Sequence, residues 1–201
     1  MIRKKILSVR EQIADELRSD IISGVLEPDT KLNEHALAER FGTSRGPIRD
    51  VLLKLTKEGL LVSRNNVGSS VASPLSPEIQ KLSISIRRKI EEFAMKEISG
   101  KLTDEQLQQA SMLIDEMQMH FDNEEFTELT KADMAFHQFL IEQAGGEDLV
   151  NMWYPITIKM RMNYKRINTS GKLVDEHRDI LNAIKDGDAK GAINAVRKNI
   201  K

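Results

Sequence analysis

Two short amphipathic stretches joined at a glycine, with a second glycine and a pair of apolar strands behind them, leave residues 31–70 few ways to fold. Asn33 can accept hydrogen bonds from the backbone N–H groups that follow it, and so start a helix in which Ala36, Leu37 and Phe41 make one apolar stripe. Gly42 ends that helix, because the turn needs a left-handed residue and glycine takes that conformation at no steric cost. Ser44 then caps a second helix running through Glu58, with Ile48, Val51, Leu52 and Leu55 at helical spacing. Gly59 stops it. Leu60-Leu61-Val62 and Ser69-Ser70-Val71 flank Asn-Asn-Val-Gly, the signal of a β-hairpin.

Helix, glycine turn, helix is the geometry of a helix-turn-helix, whose second helix enters the major groove of DNA. That second helix begins Ser44-Arg45-Gly46-Pro47-Ile48-Arg49. Arg45 and Arg49 are one turn apart and share a face, opposite the Ile48/Leu52/Leu55 stripe. Both guanidiniums are therefore free to leave the protein, and arginine is the side chain best suited to a guanine edge or a phosphate. Pro47 in the first turn removes no hydrogen bond and pre-sets the helix. Two arginines alone would describe an ordinary solvated face. The glycine joint, the serine cap and the hairpin together point to DNA.

The same stretch resembles the winged helix-turn-helix of the GntR-type bacterial transcription regulators. The matching residues are Gly24, Pro28, Leu32-Asn33-Glu34, Leu37-Ala38, Gly42-Thr43-Ser44-Arg45, Pro47-Ile48-Arg49, Leu52, Leu55, Glu58-Gly59-Leu60 and Gly68. The resemblance implies that Arg45 and Arg49 contact operator DNA, with Ser44 and Gly46 beside them. It also implies that a wing around Asn65, Asn66 and Gly68 reaches the neighbouring minor groove. A position early in the first of these helices is often arginine in the family and is His35 here, which retunes one contact.

The charge balance is consistent with this division of labour but does not force it. The net charge of −1 gives no hint of nucleic acid. Residues 1–73 hold 12 Lys+Arg against 10 Asp+Glu, and residues 74–201 hold 18 against 21, so the front is the more basic part. Affinity for DNA must then come from placed charges and from pairing two subunits. The chain has no cysteine, which excludes disulfides, thiolate metal sites and a cysteine nucleophile. No run is apolar and long enough for a membrane span, and the start Met-Ile-Arg-Lys-Lys-Ile-Leu lacks the pattern of a signal peptide. The expectation is a soluble, cytoplasmic bacterial protein acting on the nucleoid.

Residues 9–23 read as a first helix, with Ile13, Leu17 and Ile21 at a spacing of four and Gly24 closing it. The basic start, Arg3-Lys4-Lys5, reads as a solvated tail that could touch phosphates. Ser73-Pro74-Leu75-Ser76-Pro77 marks a domain boundary and a new helix start, which divides the chain into 1–73 and 74–201. Beyond it no strand pattern occurs. A helix over 77–98 is expected to turn Ile79, Leu82, Ile86, Ile90, Phe93 and Ala94 inward, and Gly100 ends it. Thr103 and Gln106 form a capping box for the next helix, with Leu107, Ala110, Leu113, Ile114 and Met117 at its core face. Further helices are expected over 123–144, stopped by Gly145-Gly146, and over 147–167, kinked at Pro155. The last two cover 173–185 and 188–200. The fold class is thus mainly α: a winged helix-turn-helix of three helices and a hairpin, then an antiparallel helical bundle.

Asp133 and His137 lie one helical turn apart among apolar neighbours, so both can point at one spot inside the bundle. His177 stands on the penultimate helix. A carboxylate and an imidazole at i, i+4, joined by an imidazole from another helix, suit zinc or a similar divalent ion. The same spacing also describes a buried Asp–His hydrogen bond, with His177 elsewhere on the surface. His120 shows no partner pattern and reads as surface, and Met152, Met160 and Met162 read as core filling or a plastic pocket wall.

Residues 77–200 resemble the ligand-sensing bundle of the FadR branch of the family, the FCD domain. The resemblance rests on Arg87-Arg88-Lys89-Ile90-Glu91, Asp133-Met134-Ala135-Phe136-His137, Glu176-His177-Arg178-Asp179-Ile180-Leu181 and Ala183-Ile184-Lys185-Asp186-Gly187-Asp188. Metal-binding members hold a divalent ion with one aspartate and three histidines, beside a small carboxylate effector. The resemblance implies those roles for Asp133, His137 and His177, and puts the remaining ligand at 199, where this chain has Asn199. An amide oxygen is a weak neutral ligand in that place. Either the affinity for the ion falls or the pocket works without one; for an occupied site zinc is the expected ion, with nickel or manganese as alternatives. Arg87 matches a position that can pair with an effector carboxylate; its plain alternative is a salt bridge to Glu91.

The reading that follows is a homodimeric DNA-binding transcription regulator that senses a small organic acid, with double-stranded operator DNA as its partner. The competing reading is a metal-dependent enzyme on the bundle, with the front domain as a DNA-targeting module. Against it stand the absence of a general base one turn from the ligands, of a glycine-rich phosphate loop and of a nucleophile elbow in the sequence. A helical scaffold without a ligand is the third.

Overall fold

The computed structural model describes residues 8–64, 68–162 and 172–200, with the side chain of Arg64 also outside that set. The chain divides into two compact units, Met1–Pro74 and Leu75–Lys201.

In the first unit, α1 (Val9–Ile22) starts at Ser8, whose hydroxyl accepts from the Glu11 N–H. Ile13, Leu17 and Ile21 are buried at the expected spacing. The short strand β1 (Lys31–Leu32) precedes α2 (Glu34–Arg40) and α3 (Arg45–Lys57), and the wing is built by β2 (Leu61–Arg64) and β3 (Gly68–Val71). β3 lies in the middle of a three-stranded antiparallel sheet, with Leu61 opposite Val71 and Leu32 opposite Ser69. The sequence reading had only the hairpin, because a two-residue strand carries no periodic signal. Leu17, Ile48, Leu55 and Leu60 fill the core. Arg18 of α1 is buried and donates through Nε and Nη2 to the Glu58 carboxylate at 2.9 and 2.8 Å, which ties α1 to the C-terminal end of α3. On α2 the inward pair is Leu37 and Ala38; Ala36, expected inward, is exposed.

The second unit is all helix: α4 (Pro77–Ile98), α5 (Asp104–Asp122), α6 (Phe126–Arg161), α7 (Lys172–Lys185) and α8 (Ala189–Asn199). Ser76 caps α4 with Pro77 in its first turn, and Thr103 and Gln106 cap α5 reciprocally. α6 is two helices end to end, since Gly145 and Gly146 leave helical dihedrals (φ −149° and +61°). The break falls at these glycines, as expected, and Pro155 lies inside the second half, where the dihedrals stay helical. The first half begins at Phe126 rather than 123, because Asn123 is the C-cap of α5. Residues 163–167 of the expected Met-rich helix, the loop at 168–171, Asn65, Asn66 and the basic start lie outside the described residues. α6 packs on α4 and α5, α4 on α8, and α7 on α5 and α8. Phe136, Leu140, Met95, Met117, Trp153 and Ile158 make the core.

Three expectations change. The buried face of α4 is Arg87, Glu91, Ala94, Met95 and Ile98, whereas Ile79, Leu82 and Phe93 are about half exposed (48%, 53% and 49%). Periodicity found the apolar stripe but could not say which side of it faces this chain. His120 is mostly covered and its Nδ1 lies 2.7 Å from Glu125 Oε2, so it is a partnered residue. Of the methionines, Met160 is core, while Met152 is 62% exposed. No helix among the described residues is long and apolar enough to cross a membrane.

Gly100 joins α4 to the α7–α8 corner. Its φ is +72°, its N–H donates to Ile184 O at 2.8 Å, and a Cβ there would meet the Gly187 Cα at 3.2 Å. Gly100→Ala should therefore cost about 1–3 kcal/mol, from strain in the left-handed region and the backbone contact. Urea unfolding midpoints of wild type and variant check this.

Candidate DNA-reading face and candidate metal centre

The front site begins with two helix starts. Asn33 Oδ1 accepts from the His35 and Ala36 N–H groups at 2.8 and 3.1 Å and fixes the start of α2. Gly42 turns the chain with φ +59°. Ser44 occupies the N-cap position of α3, but its side chain makes no capping hydrogen bond, so the expected cap bond is absent. Its hydroxyl is left on the exposed face with Arg45, Gly46 and Arg49. Arg49 Nε donates to Glu34 Oε2 at 2.7 Å, which leaves the outer edge of the guanidinium, the fork that matches a guanine edge, at the surface. His35 is exposed and lies 3.4 Å from Glu39. A Cβ on Gly46 would touch nothing in the chain, and Gly46 needs no positive φ. A glycine in a helix costs roughly 0.5–1 kcal/mol against alanine, so its use there suits close approach by another molecule. Gly68 opens β3 with φ +88°.

The rear site is buried. Asp133 and His137 come from the first half of α6 and His177 from α7, and their ligand atoms all lie within 4.8 Å of one another. The surface alternative for His177 is overturned: its side chain is fully buried. Each ring is held by its far nitrogen. His177 Nδ1 lies 2.7 Å from Leu173 O; a carbonyl only accepts, so Nδ1 carries the hydrogen and Nε2 is bare. His137 Nδ1 lies 2.7 Å from Glu91 Oε2 and donates to it in the same way. Among the described residues neither Nε2 has a hydrogen-bond partner. His177 Nε2 instead faces Asp133 Oδ1 at 3.1 Å, two acceptors with no hydrogen between them. Such an arrangement calls for a cation.

Glu91 is the anchor beneath. It accepts from Arg87 Nε at 2.6 Å, Trp153 Nε1 at 2.8 Å and His137 Nδ1. Burial alone would raise its carboxyl, but the Arg87 charge and these donors outweigh it and keep Glu91 ionised. Desolvation pushes His137 below the usual imidazole range and His177 down to about 4, so both rings are neutral lone-pair donors at pH 7. Phe136 meets both rings in T-shaped contacts, 5.6 and 5.0 Å between centroids.

Three further residues complete the site. Trp153, Thr157 and Arg161 repeat at a spacing of four on the second half of α6, and all are buried. Arg161 pairs with Asp133, Thr157 Oγ1 has no partner among the described residues, and Trp153 binds Glu91. That spacing was visible in the sequence, but one aromatic, one threonine and one arginine at helical period do not announce a polar site. Arg87 makes the salt bridge to Glu91 that was its plain alternative, and keeps Nη2 without a partner among the described residues. Asn199 Nδ2 donates to Glu176 Oε2 at 3.3 Å. Asp133, His137 and His177 fit a divalent ion as three protein ligands.

Comparison with known proteins gives the wider setting. Residues 83–201 match the FCD domain, and residues 9–71 match the bacterial regulatory proteins of the gntR family. The HTH-type transcriptional repressor RspR of Escherichia coli K12 is 27% identical over 187 residues, covering 90% of this chain and 82% of that protein. The gluconate operon transcriptional repressor of Bacillus licheniformis is 25% identical, covering 94% and 80%. Among solved structures, E. coli McbR/YncC superposes with a TM-score of 0.81 at 19% identity, covering 97% of this chain and 94% of that one. A putative GntR regulator from Rhodococcus sp. RHA1 gives 0.77 at 21% identity, covering 96% and 94%.

In chelator, the buried neutral imidazoles set a pH dependence. His177 falls from 6.5 to about 4 on folding, so between those values the unfolded chain binds more protons. Stability is then full above about pH 6.5 and is lost as pH falls toward 4, by up to ~1.4 kcal/mol per pH unit for one group. His177→Gln should flatten that slope in denaturant unfolding followed across this range.

Proposed function

The chain belongs to the GntR family of bacterial regulatory proteins, with an FCD domain behind the DNA-binding one, and from that premise we propose that this transcription regulator is a homodimer switched by a small organic acid. The same membership sets it among regulators of transcription and not among enzymes. The observation that carries the sensing half is the set of buried lone pairs at His137, His177 and Asp133. A divalent ion there, zinc by the nitrogen-rich donor set, supplies a Lewis-acid seat for an effector carboxylate. Arg87, whose Nη2 has no partner among the described residues, is the residue we assign to the same effector.

The winged domain, residues 1–73 in this reading, binds operator DNA through Arg45 and Arg49, with Ser44, Gly46 and His35 on the approach and the wing at Asn65, Asn66 and Gly68 in the minor groove. The second domain, residues 74–201, pairs the subunits. The half-exposed stripe Ile79, Leu82, Phe93 on α4, continued by the partly covered Ile86 and Ile90, supports a helix seam between two copies. Effector binding acts only through its differential affinity for two arrangements of that dimer.

Arg45→Ala or Arg49→Ala should weaken operator binding by about 1–3 kcal/mol where the arginine reads a base. Gel shifts at fixed salt measure this, and binding unchanged in both variants would sink the DNA-reading assignment. Leu82→Glu should shift the dimer to monomer in analytical ultracentrifugation while leaving the helical circular dichroism intact. Elemental analysis of the purified chain, with a thermal-shift screen of small carboxylic acids, tests the sensing half: no metal and no stabilising acid would remove it.

A further inference from the structure

We propose that Arg161 is a built-in counter-ion for Asp133, which holds that carboxylate when no divalent ion is bound and must leave it when one is. The proposal rests on the metal centre proposed above and concerns how that centre is regulated. The two oxygens of Asp133 differ: Oδ1 faces the bare His177 Nε2 at 3.1 Å, and Oδ2 meets the Arg161 guanidinium. All three side chains are nine-tenths buried or more. A carboxylate buried to that degree needs a positive partner, and removing it is strongly destabilising. Arg161 provides that partner without any ion. The same placement sets its charge beside the bare nitrogens of the ligand set, where it also contributes to the low His177 pKa.

A divalent cation on Asp133, His137 and His177 would share the carboxylate with a guanidinium in a poorly screened interior. Two positive charges on one buried carboxylate repel, so the two occupants compete. Arg161 is the last residue of α6, and its long stem lets the charge withdraw without unwinding the helix. The site therefore has two charge-balanced states, one with the arginine in place and one with the ion.

The test is zinc affinity of the full chain, read by competition with a chromophoric chelator, for wild type, Arg161→Gln and Arg161→Lys. Arg161→Gln should bind zinc on the order of tenfold more tightly than wild type, with Arg161→Lys between them. In chelator, Arg161→Gln should melt below wild type, and zinc should raise its melting temperature by more than it raises that of wild type. Zinc binding by Arg161→Gln with none by wild type would also support the competition. Wild type binding zinc while Arg161→Gln binds it equally or less well would overturn the role of Arg161 and leave the metal centre standing. Neither protein binding zinc would overturn both. Should Arg161→Gln not fold, Arg161→Lys decides: tighter binding than wild type supports the exchange, and equal or weaker binding overturns it.

Discussion

The second unit is organised around a carboxylate that accepts three hydrogen bonds. Glu91 takes Arg87, Trp153 and His137, and so joins α4 to both halves of α6 at one buried point. An ionised carboxylate in an apolar bundle is stable only when its lone pairs are met, and here the donors come from two helices. The consequence is transmitted outward. With its Nδ1–H committed to Glu91, His137 has one tautomer and one orientation, and its free nitrogen turns to Asp133 and His177. Leu173 does the same for His177 through its backbone carbonyl. This is the second layer of support that metal-binding histidines use.

Because Arg87 and Glu91 lie on one face of α4 and the half-exposed apolar stripe on another, a single helix touches both the proposed sensing site and the proposed seam between subunits. A change in how the buried face is held has a short rigid path to the seam. In the first unit the corresponding economy is the Arg18–Glu58 bond, which braces the end of α3 from inside and leaves its N-terminal turn outside for contact.

Much of this was legible in the sequence, for identifiable reasons. Glycines at 42, 59 and 100 stop helices because positive φ is costly for any other residue, and all three adopt it. Gly145-Gly146 predicted two helices, and helical dihedrals do fail there. The Asp133/His137/His177 group could be proposed because helical spacing places two of the three residues on one face. His177 could be added as a candidate from another helix, but no spacing rule connects separate helices, so the sequence left a surface position for it open until the resemblance favoured the site. Arg161, Thr157 and Trp153 were not seen as site residues.

The α4 stripe shows the boundary between the two kinds of information. Residues at 79, 82, 86, 90 and 93 determine by themselves that the helix has an apolar side, because 3.6 residues per turn brings them together. They do not determine what covers that side. The sequence likewise set the order of the helices, the caps at Asn33, Ser76 and Thr103, the helix breaks and an exposed face at 45 and 49, since these depend on local backbone sterics and periodicity. Tertiary structure decided that α4 turns Arg87 and Glu91 inward, that Arg161 meets Asp133, and that two histidines present bare nitrogens to each other's neighbourhood. Those outcomes depend on how helices distant in the chain pack, where burial fixes which charges must find partners.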